Sequence, residues 1–190
     1  EKHTKQKYLR KLSIVIGQRI VDLSRPSGQN LSAWPNQEQK ILTGFSHGAA
    51  GISLALFRLY EQTDIKSFRD IALNAIEYEN LQRDASTGHW LDLRGDKPNI
   101  MNSWCNGTPG IGLARLEMYK IESRAEFLRD MEEAITLSTQ TQPLLLDQLC
   151  CGALGISELL LNAGTFFNNK GWILDAKKIA EDSISNSKPL

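Results

Sequence analysis

The sequence predicts an all-α protein in which helical hairpins form an α/α toroid, here about the last half of one. A short glycine motif occurs three times, and each copy is followed by an apolar stretch and then by a more charged stretch. The charged stretches place apolar residues three or four positions apart, which is the helical period. Strand-like alternation of apolar and polar residues is not sustained anywhere.

The glycine motif reads SHGAAGI from Ser46, CNGTPGI from Cys105 and CCGALGI from Cys150. The middle glycines are Gly48, Gly107 and Gly152, which lie 59 and 45 residues apart. A repeat of this length can hold one helical hairpin. The three copies therefore predict three successive hairpins.

Charge separates the two helices of each predicted hairpin. In the order of the three hairpins, the first stretch of each contains two, three and one charged residues. The second stretch of each contains six, seven and five charged residues. The first are residues 52–61, 111–121 and 156–166, and the second are residues 66–83, 122–138 and 172–184. The helices that are poor in charge are predicted to lie on the inside of the toroid. The charged helices are predicted to lie on the outside, with one apolar stripe each. Asp130, Glu132 and Glu133 are accordingly expected to face solvent.

Each glycine motif is expected to form the turn that leads into an inner helix, since glycine permits positive φ and close backbone approach. These turns would bring the residues before them to one end of the toroid. The residue pairs are Ser46 with His47, Cys105 with Asn106, and Cys150 with Cys151. All three cysteines of the chain belong to them.

Three cysteines at equivalent positions predict a metal site, although a single unpaired cysteine usually only fills a core. Thiolates suit zinc, and three protein ligands leave one tetrahedral position open, as in catalytic sites. The negative charge of three thiolates weakens activation of water and favours activation of an incoming thiol. The predicted Zn²⁺ ligands are Cys105, Cys150 and Cys151.

The side chains next to the cysteines have expected roles of their own. His47 either donates a hydrogen bond that holds its turn or acts as an acid and base near neutral pH. Trp104 is expected to pack behind Cys105 and to exclude water from one side of the metal. Asn106 fits a turn or a hydrogen bond to the metal site.

Two other candidates are predicted to be structural. His89 lies in a connecting loop, and Asp92 and Arg94 of the same loop are expected to form an ion pair.

Composition indicates one domain over residues 1–190. The 22 basic and 22 acidic residues give no reason to expect nucleic acid or an anionic membrane as a partner. The sequence contains no apolar run long enough for a membrane span, and its charged start lacks the pattern of a secretory signal. The odd number of cysteines fits a reducing cytoplasm.

Three stretches resemble a known family. They are GFSHGAAGI at residues 44–52, SWCNGTPGIGLARL at residues 103–116 and LCCGALG at residues 149–155. They are similar to the signature stretches of lanthionine synthetase C-like cyclases, most closely the C-terminal cyclase domain of class II lanthipeptide (lantibiotic) synthetases. The resemblance covers most of residues 42–163.

This resemblance implies a zinc-dependent cyclase, with Cys105, Cys150 and Cys151 as ligands and His47 as the acid and base. The substrate would be a precursor peptide, whose cysteine thiolate adds to dehydroalanine or dehydrobutyrine and closes a lanthionine thioether ring. Class II relatives often have histidine where this chain has Asn106. Class I cyclases have arginine where it has Met101.

The resemblance also implies that the chain is the last half of a toroid, beginning with the outer helix of a preceding hairpin at residues 8–23. The missing repeats and a dehydratase region would belong to the rest of the synthetase. The alternative is a noncatalytic remnant that binds zinc, peptide or both. Another toroid enzyme, such as a prenyltransferase or a glycosidase, is a more distant possibility. The clustered cysteines and the absence of a paired-carboxylate motif argue against a glycosidase.

A half ring exposes apolar surface along two edges, which favours self-association. We expect dimers or larger species in sedimentation velocity runs at micromolar concentration. A single monomeric species would contradict this prediction.

Overall fold

The computed structural model of the protein describes residues 2–28, 31–140 and 146–186. The helices of these residues are α1 (Lys2–Leu23), α2 (Ala49–Thr63), α3 (Lys66–Asn80), α4 (Thr108–Ile121), α5 (Ala125–Gln140), α6 (Ala153–Phe167) and α7 (Lys170–Asn186). Two short antiparallel pairs join β1 (Arg25–Pro26) to β2 (Ser32–Ala33), and β3 (Leu91–Asp92) to β4 (Asn99–Ile100). No helix of the described residues is long and apolar enough to cross a membrane.

The helices pair as the charge pattern predicts. Helices α2 and α3, α4 and α5, and α6 and α7 form three hairpins, and α4 packs between α2 and α6. The three inner helices thus lie side by side in an arc, with α3, α5 and α7 outside it. Helix α1 packs against α2 and α3 as an additional outer helix.

The core lies between the inner and outer helices. Phe57 of α2 meets Phe127 of α5 edge to face, with ring centroids 5.6 Å apart and an interplanar angle of 80°. In the middle of α4, a Cβ on Gly112 would lie 2.6 Å from the Ala134 methyl group and 3.0 Å from Leu159. Helix α4 therefore contacts its outer and inner neighbours at close range, which removes its apolar side chains from water.

Glycine is required in these motifs because the incoming backbone lies very close to the start of each inner helix. The first glycines, Gly48, Gly107 and Gly152, would each place a Cβ 1.9 to 2.2 Å from a carbonyl oxygen, those of Thr43, Met101 and Leu146. The second glycines, Gly51, Gly110 and Gly155, would place one 1.8 to 2.6 Å from the carbonyl oxygens of Phe45, Trp104 and Leu149. The incoming chain lies directly on the first turn of the inner helix in all three copies.

Positive φ does not explain these glycines. Gly48, Gly107 and Gly152 have φ values of −115°, −142° and −133°, which are extended conformations open to any residue. The predicted need for close approach is confirmed, whereas the predicted need for positive φ at these N-caps is wrong.

The same hydrogen bond closes each turn. The first N–H of the inner helix donates to a carbonyl seven residues earlier. The pairs are Ala49 to Leu42 at 2.9 Å, Thr108 to Met101 at 3.3 Å, and Ala153 to Leu146 at 2.8 Å. Each pair satisfies a helix N-terminal N–H that would otherwise have no partner.

Apolar side chains are exposed at both ends of the arc. On α1 they are Tyr8, Leu9, Leu12, Val15 and Ile16, and on α6 and α7 they include Leu161, Phe166 and Leu174. A groove of about 470 Å³ also runs along α2 beside Phe45 and Leu59. Self-association stays a prediction, and these surfaces are where it would occur.

Replacing Gly110 by alanine should destabilise the fold by at least about 2 kcal/mol, because the new methyl group would meet the Trp104 carbonyl oxygen. Urea unfolding followed by circular dichroism measures this change. Gly171→Ala is the matched control in the first turn of α7, where the nearest atom is the side-chain oxygen of Asn169 at 3.2 Å. The control should change stability by less than about 1 kcal/mol, and equal losses would contradict the close-approach explanation.

Candidate metal centre

The three cysteines of the chain converge at one end of the arc. The Cys105 and Cys151 sulfurs are 3.6 Å apart, and the Cys151 and Cys150 sulfurs are 3.2 Å apart. All three sulfurs lie within 4.8 Å of one another. Cys105 is buried, Cys151 is partly buried and Cys150 is exposed, so the cluster opens toward solvent on one side.

Backbone hydrogen bonds of Cys105 hold the three turns together. Its N–H donates to the Cys150 carbonyl oxygen at 3.1 Å. Its carbonyl oxygen accepts the N–H groups of Phe45 and Ser46, at 2.9 and 2.8 Å. The middle turn is therefore bonded to the last turn through its N–H and to the first turn through its carbonyl group.

The sulfur spacing fits a metal ion of the zinc type. A tetrahedral ion with metal–sulfur bonds of about 2.3 Å separates its ligands by about 3.8 Å. The separations of 3.6 and 3.2 Å are close to this value. Three thiolates leave one position of a tetrahedral ion for another ligand. The described residues thus offer a three-sulfur site with an open side.

The thiols of the cluster differ in acidity. Burial acts to raise the pKa of Cys105, but hydrogen bonds from Ser103, the other two thiols and Asn106 outweigh it, and the pKa lies below its ordinary value. Hydrogen bonds with Cys151 and Cys105 raise the pKa of Cys150 to about 12. Cys105 is therefore more acidic than Cys150.

His47 lies at the same end, in the turn whose Ser46 N–H binds the Cys105 carbonyl oxygen. Its side chain is exposed and is not part of the sulfur cluster. No hydrogen bond involves its imidazole among the residues that the structure describes. The hydrogen bonds that support this turn come instead from a buried carboxylate.

That carboxylate belongs to Glu79 at the end of α3, which is completely buried. One oxygen accepts the N–H groups of Gly44 and Ala50, at 2.8 and 3.2 Å, and so spans the turn that contains His47. The other oxygen binds Arg115 of α4 at 2.8 Å. Burial raises the pKa of Glu79, and Arg115 and the two N–H groups act in the opposite direction.

Arg115 links Glu79 to a second buried acid. Its Nε donates to Asp130 of α5 at 3.2 Å, and the same Asp130 oxygen accepts the Asn80 amide at 2.9 Å. Asp130 is only 1% exposed, so the prediction that it faces solvent is wrong. Glu132 is exposed and Glu133 is partly buried against Arg83. The buried network joins three helices and the first turn of the site.

A family model of lanthionine synthetase C-like proteins matches residues 2–190. The chain belongs to this family. The lacticin 481/lactococcin biosynthesis protein LcnDR2 of Lactococcus lactis subsp. lactis is 26% identical to it over 91 residues. That match covers 48% of this chain and 10% of the relative.

Two solved structures share the fold of this lanthionine synthetase C-like chain. Nisin cyclase superposes with a TM-score of 0.76 at 17% identity, over 94% of this chain and 52% of that chain. A family 76 glycoside hydrolase from a bovine Bacteroides thetaiotaomicron strain superposes with a TM-score of 0.59 at 14% identity, over 83% of this chain and 38% of that chain. The predicted α/α toroid fold is confirmed, and this chain spans about half of nisin cyclase.

Trp104 and Asn106 flank the buried cysteine. The Trp104 ring packs on Phe45 with centroids 4.7 Å apart, and its Cβ lies 2.9 Å from where a Cβ on Gly155 would be. Trp104 therefore fills the space between the three turns and is itself partly exposed. Asn106 is buried next to Cys105 and acts to lower the pKa of that thiol. The Asn106 Oδ1 atom has no partner among the described residues.

His89 and the pair of Asp92 with Arg94 make local contacts of the kind that a structural role requires. The Nδ1 atom of buried His89 lies 2.9 Å from the Thr108 hydroxyl at the start of α4. Burial lowers the pKa of His89, because it disfavours the charged ring. Arg94 donates to both carboxylate oxygens of Asp92, at 2.8 to 3.1 Å, as expected.

Sequence reasoning missed the Glu79 and Arg115 pair. A signal was present, since Glu79 follows Ala75 by four residues and so lies near the apolar stripe of its helix. Arg115 likewise occurs inside a stretch that is poor in charge. A charge at a buried position predicts a buried partner of opposite charge.

Replacing Arg115 by methionine should destabilise the protein by about 3 to 5 kcal/mol, because Glu79 and Asp130 would remain buried without their cation. Chemical denaturation measures the change. Arg58→Met is the matched control, because Arg58 forms an ion pair with Glu117 but its side chain is 58% exposed. The control should lose at most about 1 kcal/mol. Equal losses of stability in the two variants would contradict the explanation that burial of the network causes the destabilisation.

Proposed function

We propose that this chain is a cyclase region that forms lanthionine rings. A cysteine thiolate of a precursor peptide would add to a dehydroalanine or dehydrobutyrine of the same peptide. The observation that carries the proposal is the convergence of three cysteine sulfurs within 4.8 Å in a lanthionine synthetase C-like chain. The related proteins support it, because one is named for lacticin 481 biosynthesis and another as a cyclase.

Cys105, Cys150 and Cys151 would hold Zn²⁺, for which their spacing and soft donor atoms are suited. When bound, the ion lowers the pKa of a thiol ligand and keeps its sulfur nucleophilic. The exposed side of Cys150 is where a peptide can approach, since Cys105 is buried behind it. The sulfur cluster would thus hold the reacting cysteine at the open end of the arc.

His47 is the proposed acid and base. In the reaction, the peptide sulfur forms a bond to the β-carbon, and the electron pair of the C=C bond moves toward the adjacent carbonyl group. A proton is then added to the α-carbon. The exposed imidazole of His47 can take the thiol proton and return a proton to the α-carbon. Glu79 fixes the turn that carries it, through the N–H groups of Gly44 and Ala50.

Asn106 and Trp104 are proposed to orient the site. Asn106 is buried beside Cys105, and its amide would help to orient the Cys105 sulfur, as a neighbour of a metal ligand does. Trp104 with Phe45 forms an apolar wall beside Cys105, which would limit the access of water. These contacts favour thiol chemistry over hydrolysis.

The proposed partners are a precursor peptide and the rest of a larger synthetase, and the proposed location is the cytoplasm. The family match supports a peptide substrate, and the length of the curated relative supports a larger enzyme. The three cysteines are free thiols, which a reducing compartment preserves.

A second candidate function is a zinc-binding or peptide-binding remnant without catalysis. Asn106 favours it, because amide nitrogen and oxygen do not exchange protons near neutral pH as a histidine at this position would. A remnant that keeps zinc predicts the same metal content as a cyclase but the opposite result in a ring-formation assay.

Metal analysis of the purified chain, reduced and supplied with zinc, should find about one zinc per chain. Cys105→Ala and Cys150→Ala should each lose most of it, because two thiolates and water hold zinc far less tightly than three thiolates. His47→Asn should keep it, as should the control Ser103→Ala, which removes only a hydroxyl 3.6 Å from the Cys105 sulfur. A chain without zinc would contradict the proposed ligands.

A dehydrated precursor peptide should lose its free thiols when incubated with the zinc-loaded chain. Thiol alkylation followed by mass spectrometry counts the thiols that remain. His47→Asn should slow ring formation by about 10² to 10⁴ with unchanged zinc content, since a positioned acid and base contributes about that factor. Full zinc without ring formation in the unmodified chain would support the remnant instead.

A further inference from the structure

The sulfurs of the candidate metal centre lie close enough together for two of them to be joined by a covalent bond. The Cys105 and Cys151 sulfurs are 3.6 Å apart, and the Cys151 and Cys150 sulfurs are 3.2 Å apart. A disulfide bond is about 2.0 Å long, so the sulfurs of either pair need to approach by less than about 2 Å. The cluster can therefore be oxidised without a large movement of the chain.

The backbone disfavours a bond between the two adjacent cysteines, although their sulfurs are the closer pair. The peptide bond between Cys150 and Cys151 is trans. A trans peptide bond holds consecutive Cα atoms about 3.8 Å apart, whereas disulfides usually join Cα atoms about 4.4 to 6.8 Å apart. A disulfide between Cys150 and Cys151 would therefore distort their turn.

The backbone favours a bond between Cys105 and Cys151, which belong to different turns and are 46 positions apart. The Cys105 N–H donates to the Cys150 carbonyl oxygen at 3.1 Å, and that carbonyl group is bonded to the nitrogen of Cys151. This hydrogen bond involves no sulfur atom, so it holds the two turns together whatever the sulfurs bind. The two thiols are thus kept side by side by the main chain.

We propose that Cys105 and Cys151 form a disulfide on exposure to a peroxide and that this bond abolishes the metal site. The partly buried Cys151 lies nearer the open side than Cys105 and takes one oxygen atom from hydrogen peroxide, whose O–O bond breaks. Cys151 becomes a sulfenic acid, and one water molecule leaves. The Cys105 sulfur then bonds to the Cys151 sulfur as the S–O bond breaks and a second water molecule leaves. Two thiols and one hydrogen peroxide thus give one disulfide and two water molecules.

The disulfide would remove two of the three proposed zinc ligands. Metal binding requires thiolates, and a sulfur in a disulfide is not one. Only the Cys150 thiol would remain, and a thiol reductant would restore the other two. The proposal does not depend on ring formation, because the sulfurs have the same positions in a cyclase and in a noncatalytic remnant.

Disulfide mapping of the unmodified chain tests the proposal. The chain is reduced, stripped of metal with a chelator and treated with a slight molar excess of hydrogen peroxide. Its intact mass should fall by about 2 Da, the mass of two hydrogen atoms, and alkylation should then label one thiol per chain. Digestion and tandem mass spectrometry should find Cys105 linked to Cys151 and Cys150 alkylated. Dithiothreitol should return all three thiols.

Two matched variants separate the possible pairs. Cys150→Ser keeps the proposed pair and should form the disulfide at a rate within about twofold of that of the unmodified chain. Cys105→Ser leaves only the adjacent pair and should form a disulfide at least about tenfold more slowly.

The zinc-loaded chain provides a second measurement. Peroxide should release zinc to a colorimetric indicator in step with the loss of thiols, and dithiothreitol followed by fresh zinc should restore binding.

A disulfide that joins Cys150 to either other cysteine would overturn the proposal, as would sulfinic or sulfonic acids without a disulfide. Zinc that stays bound to the cross-linked chain would also overturn it. A chain that binds zinc but forms no disulfide would contradict this proposal and leave the proposed function standing. A chain that forms the Cys105–Cys151 bond but never takes up zinc would support the disulfide and contradict the proposed zinc ligands.

Discussion

The peptide groups on either side of Cys105 hold the candidate site together. The N–H of this residue binds the carbonyl oxygen of Cys150, and its carbonyl oxygen accepts the N–H groups of Phe45 and Ser46. Turns from three separate hairpins therefore meet at one residue. The bond to Cys150 also holds the last turn against the middle one, where the Cys105 and Cys151 sulfurs lie 3.6 Å apart.

The glycine motifs make this meeting possible. Each turn lies so close to the first turn of its inner helix that a methyl group at either glycine would overlap a carbonyl oxygen. Short connections of this kind leave little freedom for the residues just before the motif, which are the residues that carry the candidate chemistry. Rigid backbone at these positions is what a metal site with three ligands from two turns requires.

The ion network below the site is buried, so its charges lose their hydration, but its hydrogen bonds fix the backbone of the first turn. Glu79, Arg115 and Asp130 are all nearly inaccessible to water, and burial of such groups costs free energy that their mutual attraction only partly offsets. In return, Glu79 binds both ends of the turn that presents His47.

The sequence alone determined the number of hairpins, the alternation of inner and outer helices, and the meeting of Cys105, Cys150 and Cys151. These follow from glycine spacing, charge density and helical period, which are local properties of the chain. Only the tertiary structure decided that Asp130 is buried and that Glu79 supports the first turn. Those features depend on contacts between residues about 10 to 50 positions apart, which the pattern within one helix does not encode.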